Sequence, residues 1–253
     1  MRYFIEHAYD GTAYKGWQIQ HNGITVQQVL QDKLAILLKQ KIRLIGSSRT
    51  DTGVHALQQF AHFDLDVPIP DPERLTFQLN AILPHDIAVA GIYPVEEQTH
   101  SRFAATHRRY CYKLARKKNP FLFNKAYYYH RPLDLERMNE AAALLFQHLD
   151  FESFSKIHTD VNNFNCTITL AEWVVVDDKL WEFHVQSNRF LRGMVRALVG
   201  TFLEVGEGKR SVEAFEDLIL ARDRKKAGPQ APPHGLYLVE VGYPTEIFRY
   251  KSE

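Results

Sequence analysis

The sequence predicts an α+β fold of two βαββαβ halves, with mainly antiparallel sheets joined around a central cleft. Three observations predict it. Runs of strand character alternate with runs of helical period in the order strand, helix, strand, strand, helix, strand. The same order is met a second time, so that residues 1–104 read as an N-terminal half and 105–253 as a C-terminal half. Only the elements repeat, not the residues, and the helices do not follow every strand as a doubly wound parallel sheet requires.

In the first half, residues 2–9 read as a strand and 11–23 as a loop. Thr25-Val26-Gln27-Gln28 forms a capping box, in which a Thr hydroxyl and a Gln three residues on satisfy each other's orphan N–H groups. Behind it Val26, Val29, Leu30, Leu34, Leu37 and Leu38 share one helical face. Residues 41–45 predict a short strand and 46–55 a polar, turn-rich loop. The strand over 57–65 is ended by Pro68 and Pro70. Asp71-Pro72 is an N-cap followed by Pro at the first helical position, opening a helix to about Leu83. A strand follows over 87–95.

The second half begins with a strand over 109–115 and a short one over 127–130. Leu135, Met138, Ala142, Leu145 and Leu149 lie on one face of a helix. Residues 167–176 and 180–186 predict a hairpin turning at Asp177-Asp178. An amphipathic helix over 189–205, a helix capped by Ser211 and a strand over 236–241 complete the set. This is the ferredoxin-like order. Two such sheets can join edge to edge and leave a cleft, a favoured place for a site.

Composition narrows the classes. With 45% hydrophobic, 24% charged and 12% aromatic residues, the 253-residue chain is an ordinary folded protein, not a disordered or low-complexity one. No apolar run nears the roughly 20 residues of a membrane helix, and the first residues lack the apolar core of a signal peptide. Cys111 and Cys166, far apart, make neither a disulfide framework nor a metal knuckle. These features predict a cytoplasmic protein with no membrane partner. Net charge is only +1, yet no Asp or Glu occurs from Gln98 to Leu133. That stretch holds Arg102, Arg108, Arg109, Lys113, Arg116, Lys117, Lys118, Lys125 and Arg131. An acid-free basic block attracts a phosphate backbone. Arg189, Arg192 and Arg196 form a second basic set, and Arg222, Arg224, Lys225 and Lys226 a third.

Several enzyme motifs are absent. Residues 203–210 miss a P-loop, with Leu203 in place of the first Gly and Arg210 in place of Ser or Thr. Ser47 and Ser48 lack the glycines of a nucleophile elbow. No histidine spacing points to a metal, so none is expected. What remains is Arg49-Thr50-Asp51-Thr52-Gly53-Val54-His55-Ala56, a loop between two strands. Asp51 there can serve as a nucleophile kept ionised by a cation. An Asx turn is the ordinary use of Asp before Thr-Gly, and on the residues alone it is the stronger reading.

The loop resembles the catalytic motif of the tRNA pseudouridine synthase A family. So do five further strings in the family's order: Gly11-Thr12-Ala13-Tyr14-Lys15-Gly16-Trp17-Gln18, Thr25-Val26-Gln27, Phe103-Ala104-Ala105 with Arg109-Tyr110-Cys111-Tyr112, Phe190-Leu191-Arg192-Gly193-Met194-Val195-Arg196 with Gly200, and Ala227-Gly228-Pro229 with Gly235-Leu236-Tyr237-Leu238. Gln230 stands where the family often has Thr.

The resemblance implies an isomerase that converts uridine to pseudouridine at nucleotides 38, 39 and 40, in the anticodon stem-loop of tRNA, without cofactor or metal. It implies that Asp51 is the catalytic aspartate and that Arg196 pairs with it. It also implies that Tyr110 stacks on the flipped uracil, that Arg49 fills the gap left by the base, and that Leu236 walls the pocket. A homodimer is implied, with tRNA touching both subunits. Arg102, Arg108, Arg109, Lys117, Lys118 and Arg192 would then contact phosphates. Two other readings stand beside it: a non-catalytic RNA-binding protein on the same fold, and a hydrolase using Asp51 with His55 or His62.

Overall fold

Four of the five α-helix starts among the described residues are fixed by a capping side chain. Thr25 accepts from Gln28 N–H, Asp71 from Arg74 N–H, Asp134 from Arg137 N–H and Ser211 from Ala214 N–H. The computed structural model describes residues 1–157 and 163–248. The fold is α+β, with mostly antiparallel strand pairing and five α-helices among the described residues. None of those helices is long and apolar enough to cross a membrane. The chain divides into two compact units, residues 1–106 with 237–253, and residues 107–236.

The first unit contains β1 (Arg2–Tyr9), α1 (Val26–Leu38), β2 (Ile45–Gly46), β3 (His55–Asp64), α2 (Pro72–Ile82) and β4 (Ile87–Val95). Strand β1 lies between β4 and β3, and β2 pairs with β3, all antiparallel. Strand β9 (Leu236–Gly242), reached at the far end of the chain, lies parallel to β3 through His55–Tyr237 and Ala56–Leu238. Phe60, Ala61, His62 and Phe63 are all buried, because a strand flanked on both sides and covered on both faces has no solvent side.

The sequence assigned everything after residue 105 to the second half. Beyond β9, however, Tyr243 packs edge-on to Phe4 and Phe60, with ring centroids at 5.3 and 5.1 Å, and its hydroxyl donates to the Ser101 carbonyl. Those contacts place the last stretch in the first unit.

Two buried histidines give this unit a pH dependence. His7 stacks on Trp17 at 4.7 Å, and His62 pairs its Nδ1 with Ser101 Oγ at 2.8 Å. Burial pushes both imidazoles from 6.5 down to about 4, helped at His62 by the charges of Arg2 and His100. The unfolded chain therefore takes up protons from about pH 6.5 that the folded chain refuses until about pH 4. Stability is full above that window and is lost as pH falls through it, by at most about 1.4 kcal/mol per pH unit per histidine. The urea midpoint should drop across the window, and His7→Asn should flatten the drop. A midpoint that does not change between pH 6.5 and 4 would contradict the burial argument.

The second unit contains β5 (His107–Ala115), β6 (Tyr127–Tyr128), α3 (Leu135–Leu144), β7 (Ile168–Val175), β8 (Leu180–Ser187), α4 (Met194–Gly206) and α5 (Val212–Ala221). Strand β8 lies between β5 and β7, antiparallel to both, and β6 pairs in parallel with β5. Its core is a chain of rings: Trp173 on Phe183, Phe183 on Phe202, and Phe202 stacked on Phe215 at 5.0 Å.

Helix α4 departs from expectation. It starts at Met194 rather than Arg189, because Gly193 takes a left-handed φ of +73° and breaks the run. It is also buried almost all round. Every residue from Met194 to Gly206 is buried except Arg196 and Glu204, which are half-buried. The segment 228–231 covers the helix backbone-to-backbone. A Cβ on Gly200 would meet the Pro229 carbonyl oxygen at 1.7 Å, and Gly228 N–H donates to Thr201 Oγ1.

Candidate active site

The loop 47–54 runs from β2 into β3, and it is fixed from several sides. Val54 N–H donates to the Asp51 carbonyl at 3.1 Å, and Gly53 has a φ of +78°. The turn is thus closed by main chain. Gln59 Nε2 donates to the Ser48 carbonyl, and Tyr9 Oη donates to Gln59 Oε1 and pairs with Thr50 Oγ1.

The N-terminal loop packs behind the turn. Trp17 N–H donates to the Thr50 carbonyl, and Gly53 N–H to the Tyr14 carbonyl. Gly16, at φ +83°, comes so close that a Cβ would lie 2.5 Å from the Thr50 oxygen. The 11–18 string therefore has a mechanical job, which is to hold the 49–56 string. Asp51 ends half-buried and Arg49 exposed on a turn that cannot easily move. That is the preorganisation a reacting carboxylate needs.

His55 and His62 are occupied otherwise. His55 is buried, pairs through Nδ1 with Asp10 at 2.9 Å and stacks on Tyr237 at 4.6 Å. His62 is buried against Ser101. Both are buried and hydrogen-bonded within the first unit.

The other sequence-derived residues stand in the second unit. Tyr110 on β5 is buried, with Phe190 edge-on at 5.1 Å. Arg196 on α4 donates Nε to the Ala231 carbonyl at 2.6 Å, while Ala231 N–H donates to the Arg196 carbonyl. Tyr112, two residues after Tyr110, donates its hydroxyl to the Pro232 carbonyl at 2.8 Å. The segment 231–232 thus ties the strand of Tyr110 to the helix of Arg196, and it leads directly to Leu236, which is buried. Beside it, burial and the Arg196 charge lower the His234 imidazole below its usual value. Asp51 and Arg49 thus belong to one unit, and Tyr110, Arg196 and Leu236 to the other.

The basic residues divide by exposure. Arg102, Lys117, Lys118 and Arg192 are exposed. Arg102 holds its guanidinium over the Phe103 ring at 5.7 Å, and Lys117 pairs with Asp178 at 2.7 Å. Arg109 is half-buried. Arg108 is buried at 9% exposure and donates to the Asn188 carbonyl, which leaves little of it for a phosphate.

Sequence reasoning missed Tyr9, Gln59 and the Asp10–His55 pair, because their partners lie 41 to 50 positions away or on the far side of a loop. It could have found the burial of Arg108. Strand alternation puts Arg108 on the same face as Tyr110, Tyr112 and Leu114, all of which are buried.

The pattern that defines the tRNA pseudouridine synthase family matches residues 6–104 and 141–244. Among similar proteins, one from Bacteroides fragilis is 50% identical over 247 residues, covering 98% of each chain. One from Parabacteroides distasonis is 49% identical over the same length and coverage. One from Bacillus pumilus is 42% identical over 240 residues, covering 93% of this chain and 96% of its own. Each carries the name tRNA pseudouridine synthase A.

Proposed function

The chain belongs to the tRNA pseudouridine synthase family, and from that premise we propose that it isomerises uridine at nucleotides 38, 39 and 40 of the tRNA anticodon stem-loop, with Asp51 as the catalytic carboxylate. It is an isomerase that makes pseudouridine in tRNA. The observation that carries the assignment of Asp51 is its half-exposed place on a turn closed by main chain and backed by the 11–18 loop.

The chemistry balances within the substrate. The N1–C1′ bond breaks, the uracil turns, C5 bonds to C1′, the C5 proton leaves and N1 gains one. No oxidant, reductant or co-substrate is consumed. The target base is stacked, so it must first be flipped out. Asp51 attacks C1′, attacks C6, or assists loss of the C2′ proton. Arg196 pairs with it as a bidentate cation that keeps it ionised. Tyr110 stacks on the uracil and its hydroxyl takes the C5 proton. Arg49 fills the space left by the base, and Leu236 walls the pocket. The working form is a cytoplasmic homodimer without cofactor.

The test uses an unmodified tRNA transcript. After incubation and digestion to nucleosides, pseudouridine should replace uridine at nucleotides 38 to 40, with no change in RNA mass. Binding without that conversion would leave only an RNA-binding protein.

Phosphate contacts set the register of the RNA. Replacing Arg102, Lys118 and Arg192 together by Gln should weaken binding of all tRNAs about equally. The plot of log affinity against log salt should flatten by about two to three units. Turnover of bound tRNA should barely change. Arg108→Ala should instead cost about 1–3 kcal/mol of stability, through its lost bond to the Asn188 carbonyl. A triple variant that binds like the parent at moderate salt would remove these residues from the RNA face.

A further inference from the structure

We propose that Cys111, Glu182 and His184 form a zinc-binding site on the open side of the β5–β8 strand pair, separate from the isomerisation chemistry. Cys111 Sγ, a Glu182 carboxylate oxygen and a His184 ring nitrogen all lie within 4.8 Å of one another. The antiparallel register makes this so. Cys111 sits directly opposite His184, and Lys113 directly opposite Glu182. Residues two apart on a strand share a face, so all three donors point to the same side. Cys111 is buried, while Glu182 and His184 are half-buried, which leaves solvent access at the outer edge.

The donor set selects the ion. Thiolate, imidazole and carboxylate together suit a borderline-soft divalent cation, whereas magnesium and calcium prefer oxygen alone. Tetrahedral zinc bonds of about 2.0–2.3 Å put ligand atoms about 3.3–3.8 Å apart. The three donors thus need to close by about 1.5 Å at most, a side-chain adjustment. His184 Nε2 and Glu182 Oε2 are already 3.0 Å apart. Two neighbours bear on the site. Lys113 Nζ stands 3.6 Å from Glu182 Oε1 and must swing outward, which its partial exposure allows. Exposed Glu172, opposite His184 on β7, is in position to offer a fourth oxygen or to bind a zinc-held water.

Sequence spacing hid this site because its members come from strands 71 to 73 positions apart. The one local signal is Glu182 and His184 two apart on a strand. Tyr110 precedes Cys111, and alternation turns its ring to the opposite face. Zinc here therefore clamps β5 to β8 and takes no part in the reaction.

The test titrates cobalt(II), as a spectroscopic stand-in for zinc, into the full-length protein stripped of metal by chelator and dialysis. One equivalent should give a thiolate-to-cobalt charge-transfer band that zinc displaces stoichiometrically. Cys166→Ser should keep the band and Cys111→Ser should abolish it. His184→Gln and Glu182→Gln, both checked for folding by circular dichroism, should weaken binding by at least about tenfold. Zinc should raise the melting temperature of the parent but not of Glu182→Gln, and chelation should leave tRNA turnover unchanged. The proposal is overturned if no saturable band forms at one equivalent, or if the band survives in Cys111→Ser. It is equally overturned if Glu182→Gln and His184→Gln bind like the parent. In that case the cluster is an ordinary ion pair beside a thiol.

Discussion

Asp51→Asn is expected to lower pseudouridine formation by at least about four orders of magnitude, the scale of removing one member of a catalytic unit. The substitution keeps size and shape and deletes only the ionisable oxygen. Val54 N–H and the Asp51 carbonyl close the turn, and the Tyr14, Trp17 and Gln59 contacts hold its main chain. Melting temperature should therefore stay at the parent value. Affinity for tRNA should stay within about threefold, since binding is spread over many phosphate contacts. Turnover retained in this variant would remove Asp51 from the chemistry. A collapse in stability would show instead that the loop depends on its charge.

The second large effect belongs to Arg196, which lies 145 positions from Asp51 in the sequence. Arg196→Lys keeps the positive charge and loses the planar fork. Turnover at saturating tRNA should fall by about a hundredfold, a loss in the range of a single positioned donor. Arg196→Ala should be worse. Because Arg196 Nε donates to the Ala231 carbonyl, the Ala variant should also lose about 1.5–3 kcal/mol of stability. Turnover must therefore be compared well below both melting transitions. Combined with Asp51→Asn, the losses should be far from additive, because two residues acting as one unit cannot be lost twice. Additive losses, or an Arg196→Lys variant that turns over at the parent rate, would reduce Arg196 to an anchor for the 228–231 segment.

Much of this architecture is legible in local sequence. Caps at Thr25, Asp71 and Ser211 and the apolar spacing behind them mark helices whose starts the structure reproduces. The failures share a cause. Phe190, Met194, Leu198 and Phe202 are spaced like one helical face, yet Phe190 packs on Tyr110 from outside the helix. Periodicity cannot tell such a residue from a helical one. Nor can it show that Gly200 brings another backbone against α4 and so buries it almost all round.

The parallel pairing of β9 with β3 joins residues about 180 positions apart, and no local pattern encodes that. The same holds for the site. Asp51 is visible as a carboxylate in a turn-rich loop, and the family strings give it a role. What makes the loop firm comes from Tyr9, Gly16, Trp17 and Gln59, whose contribution depends on three-dimensional closeness alone.

The most direct measurement uses tRNA carrying tritium at C5 of uridine. Forming the C5–C1′ bond must expel the hydrogen on C5, and hydrolysis or simple binding leaves it in place. The parent protein should release tritium to water in step with pseudouridine formation, one atom per modified nucleotide, and Asp51→Asn should release none above background. Bound tRNA that keeps its tritium with the parent protein, or equal release by Asp51→Asn, would contradict the assignment of this chain as an isomerase acting through Asp51.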